Sequence, residues 1–165
     1  MPMGFAGFQT LIGYVDVKSS PVYFYVQRRD NYNKTRTPIP FDYEILNVGG
    51  AMNLTSGKFT APQDGTYAFS FTGMAWFPAS SSRVLLGVAM HLNGNWIESG
   101  LADEAGTADQ YETLSFQSTL NLKKGDEIWL EISHMSTRAY LRGTYFTHFS
   151  GFLLEENLSQ SFSDL

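Results

Sequence analysis

The sequence predicts an all-β protein, a jelly-roll β-sandwich of about ten strands in two antiparallel sheets. Three observations carry that expectation. Tyr67, Phe69 and Phe71 fall on one face of an extended strand, with Thr66, Ala68, Ser70 and Thr72 on the other, a period of two with a buried aromatic side. The apolar run Val84 to Leu92 ends in Asn93-Gly94, a strong signal for a two-residue hairpin. No segment sustains a helical period.

The elements follow in order. Val22-Tyr23-Phe24-Tyr25-Val26 is apolar on both faces, as in a strand covered on both sides. Ile45, Leu46 and Val48 form a run that breaks at Gly49-Gly50. Gly57 to Ala61 ends a strand, and Pro62 and Gly65 bracket the turn into the aromatic strand. Gly94 to Thr113 reads as a long loop with one short strand around Trp96-Ile97. Leu114, Phe116, Ser118, Leu120 and Leu122 share the next inward face. Lys124-Gly125-Asp126 turns the chain, and Ile128, Leu130 and Ile132 form another such face. Tyr140-Leu141 opens a strand pair whose return strand runs from Tyr145 to about Leu154. Three parts result: a leader over 1–20, a globular domain over 21–156 and a tail over 157–165. In the tail, Leu154, Leu158 and Phe162 recur at four-residue spacing, but Ser, Gln and Asn between them predict a frayed end.

Composition narrows the function. The chain has 165 residues, enough for one self-sufficient core, and no cysteine, which removes disulfide frameworks, thiol nucleophiles and zinc–thiolate sites. A net charge of −5 argues against a phosphate-binding surface, so nucleic acid is not an expected partner. No run has the length of a membrane-spanning helix, and Met1 to Ser20 lacks the basic leader and apolar stretch of a signal peptide. Three glycosylation sequons, at Asn33, Asn53 and Asn157, nonetheless lean toward secretion.

Several motifs in order resemble the globular head domain of complement C1q, within the C1q and tumour-necrosis-factor-like superfamily. Phe41-Asp42 precedes Asn47-Val48-Gly49-Gly50-Ala51-Met52-Asn53. Gly57-Lys58-Phe59-Thr60-Ala61-Pro62 and Gly65-Thr66-Tyr67-Ala68-Phe69 form the most specific signature. Leu120 to Leu130 resembles the family's leucine, glycine–aspartate and apolar-strand block, and Phe149-Ser150-Gly151-Phe152-Leu153-Leu154 its closing motif. The resemblance covers about 21–156 and is nearest in style to short invertebrate C1q-like proteins. It implies a ten-strand jelly roll assembled as a homotrimer and an extracellular role in recognising protein, microbial-surface, glycan or lipid ligands, with calcium in some relatives. No collagen-like repeat precedes the domain.

Residue chemistry separates the candidate sites. Phe59, Tyr67, Phe69, Phe149 and Phe152 read as core and trimer-axis packing, because alternating strand aromatics are usually core. Gly65, Gly125 and Gly151 read as positions of special backbone conformation, and Asp126 as a turn-capping acceptor. Glu98, Asp103, Glu104, Asp109 and Glu112 read as candidate oxygen donors for calcium, with Asp103, Glu104 and Asp109 the foremost, although their spacing matches no EF-hand pattern. His91, His134 and His148 have no paired spacing, and Ser80-Ser81-Ser82 lacks a positioned base.

The first functional reading is therefore a non-catalytic trimeric recognition module gaining strength by avidity, with ligand loops at Ala79–Arg83, Gly100–Gln110 and Ser136–Arg138. A second is a trimerisation head without a ligand. A third, a jelly-roll carbohydrate-active enzyme, needs a histidine–carboxylate cluster or a carboxylate pair in a cleft.

Overall fold

A computed structural model describes residues 20–106 and 108–157. The expected leader, apart from Ser20, and the tail residues Leu158 and Phe162 lie outside the described residues. The described chain forms eleven strands: β1 (Tyr23–Arg28), β2 (Tyr43–Val48), β3 (Met52–Asn53), β4 (Lys58–Thr60), β5 (Gly65–Phe77), β6 (Ser80–Leu92), β7 (Asn95–Gly106), β8 (Gln110–Leu122), β9 (Glu127–Met135), β10 (Tyr140–Leu141) and β11 (Thr147–Glu156). One sheet runs β2–β1–β11–β5–β8, with β10 pairing beyond β11 along β5; the other runs β3–β4–β9–β6–β7. Every strand ladder is antiparallel. The expected jelly-roll sandwich is the fold.

Alternation builds the core between the sheets. Along β5, Tyr67, Phe69, Phe71, Gly73, Ala75 and Phe77 are buried, while the residues between them face outward. Phe59 lies 5.4 Å from Phe24, 5.5 Å from Tyr67 and 5.3 Å from Phe69, so it ties β4 in one sheet to β1 and β5 in the other. Phe149 closes the cluster 5.0 Å from Phe24 in an edge-on contact.

The glycines expected to bend the backbone divide into two kinds. Gly125 has φ +93° and makes the turn before Asp126, whose Oδ2 accepts the Lys123 N–H at 2.9 Å. Gly65 and Gly151 have no left-handed φ; they are sites of close approach. A Cβ on Gly151 would lie 2.6 Å from the Phe24 ring, and one on Gly65 would lie 2.6 Å from the Glu155 carbonyl oxygen. The Asn93-Gly94 hairpin forms as expected, with φ of +51° and +91°.

Four expectations need correction. The long loop expected over 94–113 is instead β7 and the start of β8, joined through residues 107–109. β7 is an edge strand whose Gly, Ser, Ala and acidic residues hide any alternation, and its pairing with β6 overrides their low strand propensity. Ala79–Arg83, expected as a loop, opens β6, although pairing with β7 is interrupted between Ser80 and Val84. Tyr140-Leu141 pairs with Trp76 and Ala75 of β5, not with the return strand. There the chain leaves the sheet through Thr144 and Tyr145, at φ +53° and +74°, before β11 begins at Thr147. Phe152 is no part of the subunit core: it is 48% exposed on the outer face.

Candidate functional site

The three segments expected to meet a ligand converge at one end of the sandwich. The Ala79 N–H donates to Asp109 Oδ1 at 3.0 Å, which joins the first segment to the second. The Leu85 N–H donates to Ser136 Oγ at 2.9 Å, and the Ser136 N–H returns to the Leu85 carbonyl, which fixes the third. A shallow cavity of about 460 Å³ opens between the first and third segments, lined by residues that include Pro78, Ser80, Arg83, Met135 and Arg138. Arg138 sits there at φ +67° on the exposed Ser136–Arg138 turn.

The acidic residues do not gather into one ligand set. Asp103 is paired with Arg83, Asp109 caps Ala79, and Glu98 bonds the Ser99 N–H and Ser118 Oγ. Among the described residues no group of three or more His, Asp or Glu side chains is placed to hold a metal. Glu104 and Glu112 meet across the β7–β8 corner. A hydrogen bond from one carboxyl to the other, helped by desolvation and by the Glu104 charge, pushes the Glu112 carboxyl above the usual 4.5.

The pair has a pH consequence. The folded chain keeps a proton on Glu112 at pH values where the unfolded chain has released it. Its contribution is therefore full below pH 4.5 and lost as pH rises through the folded value. Glu112→Gln supplies a donor to Glu104 at every pH. The variant is expected to be more stable than the parent at pH 7, by about 0–1 kcal/mol because the pair faces solvent, and equal to it at pH 4. Thermal melts at the two pH values check this.

The three histidines are divided between the outer faces of the sheets. Burial lowers the pKa of His148, which packs edge-on against Tyr25 at 5.6 Å on the β1–β11 face. His91 and His134 both lie against Trp96 on the opposite sheet, at 6.4 and 6.2 Å. The serines at 80–82 acquire no histidine partner among the described hydrogen bonds. Of the sequon asparagines, Asn33, Asn53 and Asn157 are all exposed, and Asn53 Oδ1 accepts the Ser56 N–H at 3.1 Å.

One surface was read from the sequence only at Phe152, and a second not at all. On the outer face of the β2–β1–β11–β5–β8 sheet, Tyr23, Leu46 and Phe152 are 39%, 45% and 48% exposed. Tyr23 pairs with Phe152 across β1–β11, and Leu46 stands opposite Tyr25 on β2. Tyr23 and Tyr25 alternate with the buried Phe24 and Val26, but with both sides apolar the pattern does not say which one faces the core. On the other sheet, Trp96, Trp129 and Glu131 converge with Arg36. The Trp129–Glu131 spacing put those two on one outward face, but only the strand order brings Trp96 and Arg36 beside them.

Comparison with known proteins gives a consistent answer. A family model described as the C1q domain matches residues 23–154. Complement C1q tumor necrosis factor-related protein 2 of Mus musculus is 30% identical over 133 residues, 79% of this chain and 42% of that protein. Complement C1q tumor necrosis factor-related protein 3 of Mus musculus is 33% identical over 128 residues, 76% of this chain and 48% of that protein. The chain thus spans less than half the length of these relatives. Among solved structures, the globular domain of zebrafish complement 1qA superposes with a TM-score of 0.62 at 22% identity, covering 82% of this chain and 99% of that one.

Proposed function

The chain belongs to the C1q-domain family, and on that premise we propose that it is a non-catalytic, extracellular recognition module working as a homotrimer. The observation that carries this reading is the apolar patch of Tyr23, Leu46 and Phe152 on the outer face of one sheet. Large apolar side chains grouped on an otherwise polar surface mark a contact with another protein, and a patch set beside a threefold axis meets its own copies from all three subunits. The segments Ala79–Arg83, Gly100–Gln110 and Ser136–Arg138, tied through Ala79–Asp109 and Leu85–Ser136, then present the same surface once per subunit. Weak single contacts with a protein, glycan or lipid surface gain strength by avidity. Exposure of Asn33 and Asn53 agrees with passage through a secretory pathway.

Light scattering after gel filtration tests assembly. Three subunits of 18.5 kDa give a mass of about 55 kDa. A stable mass of one subunit would overturn the trimer and with it the avidity. A calcium requirement stands as a separate proposal, supported if the mass falls or the melt comes earlier in chelator and rejected if neither changes.

A further inference from the structure

From the outer face of the β3–β4–β9–β6–β7 sheet we infer a second, subunit-autonomous site that takes a carboxylated pyranose, a hexuronic acid or a sugar with the same ring-plus-carboxylate chemistry. The inference deepens the recognition reading and rests on it.

Three departures from regular strand geometry converge at this place. Gly87 pairs with His134 and Val88 with Ile132, so Ser133 is an extra residue bulged out of β9. Met90 pairs with Glu98 and His91 with Trp96, so Ile97 is an extra residue in β7. Arg36, a non-glycine residue, is held at φ +58° by its N–H donating to the Ile132 carbonyl at 3.0 Å. Bulges re-aim side chains, and left-handed backbone away from glycine is strain that the surroundings must hold in place. All three surround one cavity of about 250 Å³ lined by Arg36, His91, Trp96, Glu131, Ser133 and His134. That is smaller than the roughly 300 Å³ at which sites for drug-sized ligands begin, so it suits a single ring.

The lining chemistry selects the ring. Trp96 is 53% exposed and meets His134 at 51°, so the two form an open corner instead of a closed stack. An exposed indole face offers a rigid apolar platform for the C–H side of a pyranose. Beneath it the site is pre-organised. His91 lies parallel to Trp129 at 5.8 Å, and Lys58 Nζ caps the far side of that indole at 4.5 Å. Glu131 Oε2 accepts from Trp129 Nε1 at 3.1 Å and faces His91 Nε2 at 3.0 Å, which fixes the carboxylate and leaves Oε1 for a ring hydroxyl. Ser133 adds a hydroxyl beside Gly87, where a Cβ would come within 2.8 Å of its Oγ.

Charge then decides between a neutral and an acidic sugar. The Arg36 guanidinium is exposed and makes no salt bridge among the described residues, while the one carboxylate in the cavity is already engaged. A free guanidinium fork at the rim of an aromatic site matches a carboxylate bidentately.

Saturation-transfer NMR on the intact chain, with D-glucuronic acid, D-galacturonic acid, methyl glucoside and acetate as probes, tests this. At least one uronic acid is expected to bind in the millimolar range, and methyl glucoside and acetate at least tenfold more weakly. Trp96→Ala, with an unchanged melt, should abolish the signal. Arg36→Ala should bring the uronic acid down to the methyl glucoside level. Equal binding of methyl glucoside, equal binding of acetate, no binding of either uronic acid, or an indifferent Arg36→Ala each overturns the site. A monosaccharide engages one subunit, so the test reads the same in a trimer or a monomer and its failure is separate from failure of the assembly.

Discussion

Phe59→Ala is expected to lower the free energy of unfolding by about 3–5 kcal/mol, the cost of removing a fully buried ring. Few other positions should cost as much. Phe59 is packed edge-on against Tyr67 and Phe69, at interplanar angles of 67° and 76°, and tilted against Phe24. Its backbone pairs with Ile128 of β9, so the side chain spans the gap between the sheets from a strand only three residues long. The surrounding rings stand on long paired strands that cannot collapse into the void, which places the loss at the upper part of the range. Against a total stability of about 5–15 kcal/mol, such a loss is a large fraction. A urea titration followed by tryptophan fluorescence should show a markedly lower midpoint, with Phe59→Leu falling between the two. A shift of under about 1 kcal/mol in Phe59→Ala would mean that the aromatic cluster is not the centre of the core.

The parts of this fold legible in the sequence are those where local chemistry and burial agree. β5 alternates because one side meets the core, and Asn93-Gly94 turns because both residues take positive φ. β7 was illegible for the opposite reason. It is an edge strand that carries small and acidic residues, with Ala102 its only fully buried position, so its state is set by pairing with β6 rather than by its own pattern. The turn after Leu141 was misread because left-handed Thr144 and Tyr145 leave no compositional trace. For function, the segments near 80, 105 and 137 could be proposed separately, but not the hydrogen bonds from Ala79 to Asp109 and from Leu85 to Ser136 that bring them together. The Trp96 corner was harder still. Its members come from a loop and two strands, at positions 36, 96, 131 and 134, and only the sheet order makes them neighbours.

Phe152→Glu is expected to convert the proposed trimer to a monomer without unfolding the subunit. Within the subunit the Phe152 ring is 48% exposed, and the residues beside it in register, Tyr23 and Ala68, lie on the outer face, so a carboxylate there stays in water and the core is untouched. In a trimer closed over this patch the same carboxylate enters the apolar contact of Tyr23, Leu46 and Phe152. An unpaired buried charge costs several kcal/mol, and symmetry repeats the cost in every subunit. Assembly energies are small differences between large opposing terms, so a penalty of that size empties the trimer at micromolar concentration. The mass by light scattering should drop from about 55 kDa to the 18.5 kDa of one chain while the far-ultraviolet circular dichroism keeps its β form. Ser99→Glu, which adds the same charge at an exposed position on β7 of the other sheet, should leave the mass unchanged. If Phe152→Glu remains trimeric, the subunits meet through some other face. If both variants dissociate, charge balance rather than the Tyr23–Phe152 patch holds them together.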